Sequence, residues 1–338
     1  MARADLICEL IKYGLQNDTA HFRKVAEALS AEERMKQHSV LADKIQDMLT
    51  SEKSHFIQEN SSFNMLHNGR SEMGLFWEVM PKKTLDSLIL PKSVKSICKS
   101  IIDEQMRAEL LQSYGMEPRN RMLLIGPPGN GKTSLAEAIA EALMVPLLLV
   151  RYESIVGAYL GETASRLSRL FEFSKTRKCV LFFDEFETLG KERGDAHETG
   201  EIKRVVSSLL MQIDSLPSYV VVIAATNHES LLDRAAWRRF QVKMELPLPT
   251  RSNLEDFFSN FQDEMGFMFG VTPATLAKKA LGHSYAEAEE LAMEVYRQYI
   301  LHMPDDDIKK ITNDVVALWK QQRINIDTDG GALCLNDQ

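Results

Sequence analysis

Eight residues constrain this chain more than any others: Gly126-Pro127-Pro128-Gly129-Asn130-Gly131-Lys132-Thr133. The apolar run Met122–Ile125 before them has the length and branching of a buried strand. After them, Ser134–Leu143 places apolar residues at helical spacing among good helix formers. Strand, glycine loop and helix in that order make a phosphate cradle. The glycines let backbone N–H groups turn inward, and the helix N-terminus adds its partial positive charge. Lys132 is the residue to reach the β- and γ-phosphates of a nucleotide, and the Thr133 hydroxyl is a ligand for Mg²⁺. The expected binding surface is Gly126, Pro127, Pro128, Gly129, Asn130, Gly131, Lys132, Thr133 and Ser134.

Further buried strands follow the same pattern at Pro146–Val150, Cys179–Phe183 and Val220–Ala225, with Met244–Pro249 as the last strand. Helices alternate with them, including one from Ser93 to Tyr114 capped by Gly115 and one over Glu201–Ile213. Apolar strands alternating with helices mean a parallel sheet covered on both faces. Residues 1–50 read as helices, either a small bundle that simply packs or a docking module for a partner or substrate. There Asn17-Asp18-Thr19 is a helix start, and Ser30 with Glu33 resembles a capping box opening a further helix. Residues 51–80 have the polar composition of a linker. Residues 81–249 hold the α/β domain and 250–322 return to helical periodicity. The tail, 323–338, with Gly330-Gly331 inside it, reads as unstructured.

The third core strand ends in Asp184-Glu185. An acidic residue at the C-terminal tip of a parallel strand sits where such sheets bind ligands. Asp184 is placed to hold Mg²⁺, and Glu185 to polarise an attacking water as general base. The next strand ends in Thr226-Asn227.

Glycine loop, Asp-Glu and Thr-Asn together resemble the AAA clade of the AAA+ ATPases. That resemblance implies a P-loop NTPase sheet sandwiched by helices, with a C-terminal helical lid and an N-terminal helical domain. It implies ATP and Mg²⁺ as cofactors, and Asn227 as the residue that orients the lytic water. The stretch Leu231–Phe240 resembles the clade's second region of homology, without the usual Pro-Gly between its arginines and with Gln241 where Asp is usual. By that resemblance Arg238 and Arg239 are arginine fingers for the neighbouring subunit's γ-phosphate, with their division of labour open. Tyr159-Leu160 matches an aromatic–hydrophobic pore loop that grips a threaded polypeptide. The charged stretch 190–197 falls where a second pore loop lies, and Asp214-Ser215-Leu216 where an intersubunit signalling motif lies. Gly282-His283-Ser284-Tyr285 resembles the opening of the sensor 2 helix, with tyrosine in place of glycine.

The resemblance therefore implies a homo-oligomeric ring, expected to be a hexamer, that remodels or unfolds a protein substrate. Small bacterial relatives of this kind, some paired with a separately encoded subtilisin-like protease in phage-defence or stress modules, suggest such an effector as partner. The alternative is a nucleotide-controlled switch or loader acting on a partner at DNA without threading. The net charge of −8 and the lack of a basic stripe argue against broad nucleic-acid binding. Four scattered cysteines without a C-x-x-C pair fit a reduced compartment, and no run has the length of a transmembrane helix. The expected location is cytoplasmic.

Overall fold

The computed structural model describes residues 19–36, 74–151, 160–189, 198–232, 234–302 and 307–332, with Leu6, Lys12, His38, 40–43 and Ile45 besides. The readings at Tyr159, at 190–197 and over 51–70 lie outside the described residues. Contacts divide the chain into two compact units: residues 1–88, 92–125 and 133–244 form the first, and 89–91, 126–132 and 245–338 the second.

The first unit is built on six strands: β1 Phe76–Val79, β2 Arg121–Ile125, β3 Leu147–Val150, β4 Cys179–Phe183, β5 Val220–Thr226 and β6 Val242–Glu245. Their order across the sheet is β1-β3-β4-β5-β2-β6. The pairs β3–β4, β4–β5 and β2–β5 are parallel, and every residue of β4 and β5 is buried. Such uninterrupted burial is why these strands read as continuous apolar runs rather than alternating ones. A strand the hydropathy does not announce, β1, pairs antiparallel with β3 at the end of the segment expected to be a linker. Arg177 fastens it, donating to both carboxylate oxygens of Glu78 at 3.0 and 2.8 Å.

Described helices of the first unit are α1 Thr19–Met35, α2 Lys92–Met106, α3 Ala108–Ser113, α4 Lys132–Leu143, α5 Leu160–Lys175, α6 Glu198–Asp214 and α7 Arg234–Arg239. The helix expected over 93–114 is two, because Arg107, at φ −108° and ψ 31°, departs from helical geometry. The capping box expected at Ser30 is corrected too. Helix α1 runs straight through it, with Ser30 buried and its hydroxyl donating to the Ala42 carbonyl at 2.9 Å. The last strand is shorter than expected, ending at Glu245. Pro247 and Pro249 lack the N–H that a ladder needs.

An aromatic chain runs through the core, Phe171 to Phe183 to Phe186 to Phe240, with centroids 6.4, 6.0 and 5.6 Å apart. It fixes the 3₁₀ turn Phe186–Leu189 that follows β4. Gln241, where the resembled pattern has Asp, has a structural role. It accepts the N–H groups of Asn120 and Arg121 at 2.9 and 3.1 Å and so closes the start of β2.

In the second unit, α8 Arg251–Met265, α9 Pro273–Lys279, α10 Tyr285–Leu301 and α11 Ile308–Ala332 enclose a core of Leu254, Phe258, Phe269, Leu276, Leu291 and Trp319. Gly266, at φ 59°, ends α8 in the left-handed conformation that glycine adopts without strain. Helix α11 continues through Gly330 and Gly331, where the sequence reads as an unstructured tail. Once nucleated on buried Val315, Val316 and Trp319, each added residue forms one more backbone bond.

Candidate nucleotide and hydrolysis site

The sheet order brings the ends of three strands side by side. Phe183 of β4 pairs with Ala224 of β5, and Ile125 of β2 with Thr226 of β5. The glycine loop, Asp184-Glu185 and Asn227 are thus the residues that directly follow three adjacent parallel strands.

Within the loop, Lys132 is buried, and its ammonium donates to the carbonyls of Gly126 and Pro127 at 2.7 and 2.9 Å. Gly126 has φ 151°, and a Cβ there would stand 2.2 Å from the Leu246 carbonyl oxygen, so only glycine fits. Asn130 is 3% exposed, and its side-chain amide donates to the same carbonyl at 3.3 Å. The Gly129 carbonyl accepts the Ala286 N–H at 3.0 Å, which seats the start of α10 on the loop. Ser284 caps that helix in a complete capping box with Glu287. This segment resembles the sensor 2 opening, and it meets the loop through backbone and small side chains.

Thr133 and Asp184 are brought together, hydroxyl to carboxylate at 3.2 Å. Both offer hard oxygen donors, the kind Mg²⁺ selects, so the pair fits the expected ion. The Ser134 hydroxyl, next in the chain, accepts a hydrogen bond from the ammonium of Lys83 at 2.9 Å. Glu185 is exposed and has φ 44°, a left-handed conformation that costs a non-glycine residue on the order of 1 kcal/mol or more. Its own N–H donates to Asp184 at 3.0 Å.

The backbone N–H of Asn227 is held by Glu187 at 3.2 Å, and that of His228 by the Thr226 hydroxyl at 3.1 Å. No motif marks Glu187 in the sequence; its place two residues after Glu185 is the one local signal. The two arginines differ. Arg239 donates to Asp214, whereas Arg238 is exposed. Leu160 opens α5, and nothing is described of its side chain.

One feature escaped the sequence altogether. In the second unit a cavity of 340 Å³ is lined by Ile89, Leu90, Asn130, Leu246, Leu248 and Tyr285, among others. The Tyr285 hydroxyl donates to the Ile89 carbonyl at 3.1 Å and accepts the Asn253 amide at 3.2 Å. Burial pushes its pKa up. Four segments far apart in sequence build this cavity, so no local pattern marks it.

Comparison with known proteins agrees with this geometry. The family described as "ATPase family associated with various cellular activities (AAA)" matches residues 122–248. An uncharacterized AAA family ATPase, y4kL, of Sinorhizobium fredii is 33% identical over 89% of this chain and 90% of its own length. A putative 26S proteasome regulatory subunit homolog of Methanothermobacter thermautotrophicus is 36% identical over 57% of this chain and 51% of its own. Peroxisomal ATPase pex6 of Schizosaccharomyces pombe is 34% identical over 47% of this chain and 17% of its own. Loop, strand tips and relatives converge: this chain belongs to the AAA family of ATPases.

Proposed function

We propose that this ATPase is Mg²⁺-dependent, assembles as a homo-oligomeric ring, and spends ATP hydrolysis on remodelling or unfolding a protein substrate. The observation that carries the chemistry is the Thr133–Asp184 contact at 3.2 Å, one residue from the loop lysine and one from Glu185. Similarity to proteins named proteasome regulatory subunits and to pex6 supports protein as the substrate class.

In this reading Lys132 and the backbone of Gly126–Gly131 bind the phosphates. Thr133 and Asp184 hold Mg²⁺, which when bound offsets the negative charge building on the phosphate oxygens. Glu185 takes the proton of the attacking water, and Asn227 orients that water by hydrogen bonding. An outward arginine, Arg238, stabilises charge at the neighbouring subunit's nucleotide. The cavity beside Asn130 takes the base, its flat apolar faces matching Ile89, Leu90, Leu246 and the Tyr285 ring. Tyr159 and Leu160 grip the substrate, and the helices of residues 1–50 select it. A ring of this kind hands its unfolded product to a separately encoded protease; a defence or stress setting rests on the sequence resemblance alone. Among the described residues no helix is long and apolar enough to cross a membrane.

The deciding experiment is steady-state ATPase activity across protein concentration, with particle size measured in parallel, for the wild type and Glu185→Gln. Specific activity that rises with concentration, and a stable ring of the Gln variant in ATP, support the reading. Concentration-independent turnover by a monomer would overturn the ring.

A further inference from the structure

Glu187 is 3% exposed, two residues past Glu185 on the turn Phe186–Leu189. One carboxylate oxygen accepts the Asn227 N–H at 3.2 Å; the other is buried and has no hydrogen-bond partner among the described residues. Burying a carboxylate for one bond to a neutral amide is a poor source of stability, since the unpaired oxygen keeps its desolvation penalty. A buried polar group left half-satisfied calls for another explanation.

Its placement supplies one. Phe186 packs edge-on against both Phe183 and Phe240, so the turn carrying Glu187 is anchored in the core. From that anchor the carboxylate reaches the neighbouring strand tip and fixes the peptide of Asn227. On the far side the Thr226 hydroxyl, itself fully buried, holds the next N–H at 3.1 Å. Asn227 is thereby pinned from both sides. Glu185, at φ 44°, directly precedes the same turn.

We propose that Glu187 is a positioning residue for the hydrolytic step, setting Asn227 in fixed register with Glu185 so that groups from two strands address one water. The inference rests on the function proposed above, in which Glu185 and Asn227 act on that water. A misplacement of about 1 Å between reacting groups lowers rates by up to about 100-fold, which sets the scale of the effect.

The test compares Glu187→Ala, Glu187→Gln, Asn227→Ala and the Glu187→Ala/Asn227→Ala double variant. Their kcat and KM for ATP, affinity for a fluorescent ATP analogue, and unfolding midpoint are measured. Glu187→Ala should lower kcat on the order of 10- to 100-fold while KM and analogue affinity stay near wild type. Glu187→Gln keeps an acceptor oxygen at the same reach and should restore most of kcat. The double variant should be no slower than Asn227→Ala, because both changes remove one function. Should Glu187→Ala not fold, Glu187→Asp takes its place, with kcat expected below that of Glu187→Gln.

Wild-type kcat in Glu187→Ala beside a slow Asn227→Ala would overturn the positioning role alone. Losses that multiply in the double variant would also overturn it. So would a loss of analogue affinity in step with the unfolding midpoint. Wild-type kcat in Asn227→Ala would instead remove the function beneath it, and the proposal with it.

Discussion

Arg239 donates its Nε to one oxygen of Asp214 at 2.6 Å, while Arg121 donates to the other oxygen at 2.6 Å. One carboxylate thus joins the end of α7, the end of α6 and the start of β2. Two adjacent arginines that look equivalent in sequence are thereby separated, one tied down and one turned outward.

The first prediction follows from that separation. Arg238→Ala should lower the ATPase rate of the assembled protein on the order of 10³-fold, with the unfolding midpoint unchanged. Arg239→Ala should act on stability, by less than about 1 kcal/mol for a partly exposed ion pair, and leave turnover within a few-fold. Thermal melts and ATPase assays on both variants check this. Equal loss of turnover in both would mean that Arg239 leaves Asp214 to act.

Gly126→Ala should abolish nucleotide binding and lower the unfolding midpoint, because its methyl group would meet the Leu246 carbonyl at 2.2 Å. Gly131→Ala is the matched control. A Cβ at Gly131 meets nothing within 4 Å, so only its φ of 80° opposes the change. Its cost should be on the order of 1–2 kcal/mol. Calorimetry and ATP titration of the two variants distinguish collision from backbone strain.

Tyr285→Phe removes the hydroxyl that bridges Ile89 and Asn253 but keeps the ring against the cavity. It should cost about 1 kcal/mol of stability and weaken ATP binding modestly. Tyr285→Ala should weaken ATP binding further. Neither change should alter affinity for inorganic triphosphate, which has no base. Titrations with ATP and with triphosphate assign the cavity, and equal losses for both ligands would take the base out of it.

Acid should act partly through Glu104. Hydrogen bonds from Arg119 hold its carboxyl below the ordinary value of 4.5. A folded-state pKa below the unfolded one means the ionised form stabilises the fold above the unfolded value. That contribution is lost as pH falls through the depressed folded value. The unfolding midpoint of the wild type should therefore exceed that of Glu104→Gln at pH 7, and the gap should close on acidification below pH 4.5. Paired melts across pH read it directly.

Much of the molecule is legible in its residue order. The loop Gly126–Thr133 needs only glycines, a lysine and a hydroxyl in fixed order, and the strands at 121–125, 179–183 and 220–226 announce themselves by runs buried on both faces. These are local signals, carried by neighbours in the chain, and so the amino-acid sequence by itself determined the family, the parallel core strands and the residues at their tips. Tertiary structure alone decided the rest. The Arg239–Asp214 pair spans 25 residues and the Glu187–Asn227 bond spans 40, and neither has a periodicity to betray it. The edge strand β1 exists because β3 offers it an open ladder, and the cavity at Tyr285 because four distant segments meet. Hydrogen bonds and ion pairs across the fold depend on which elements become neighbours. That choice belongs to the packed sheet and not to any stretch of the chain.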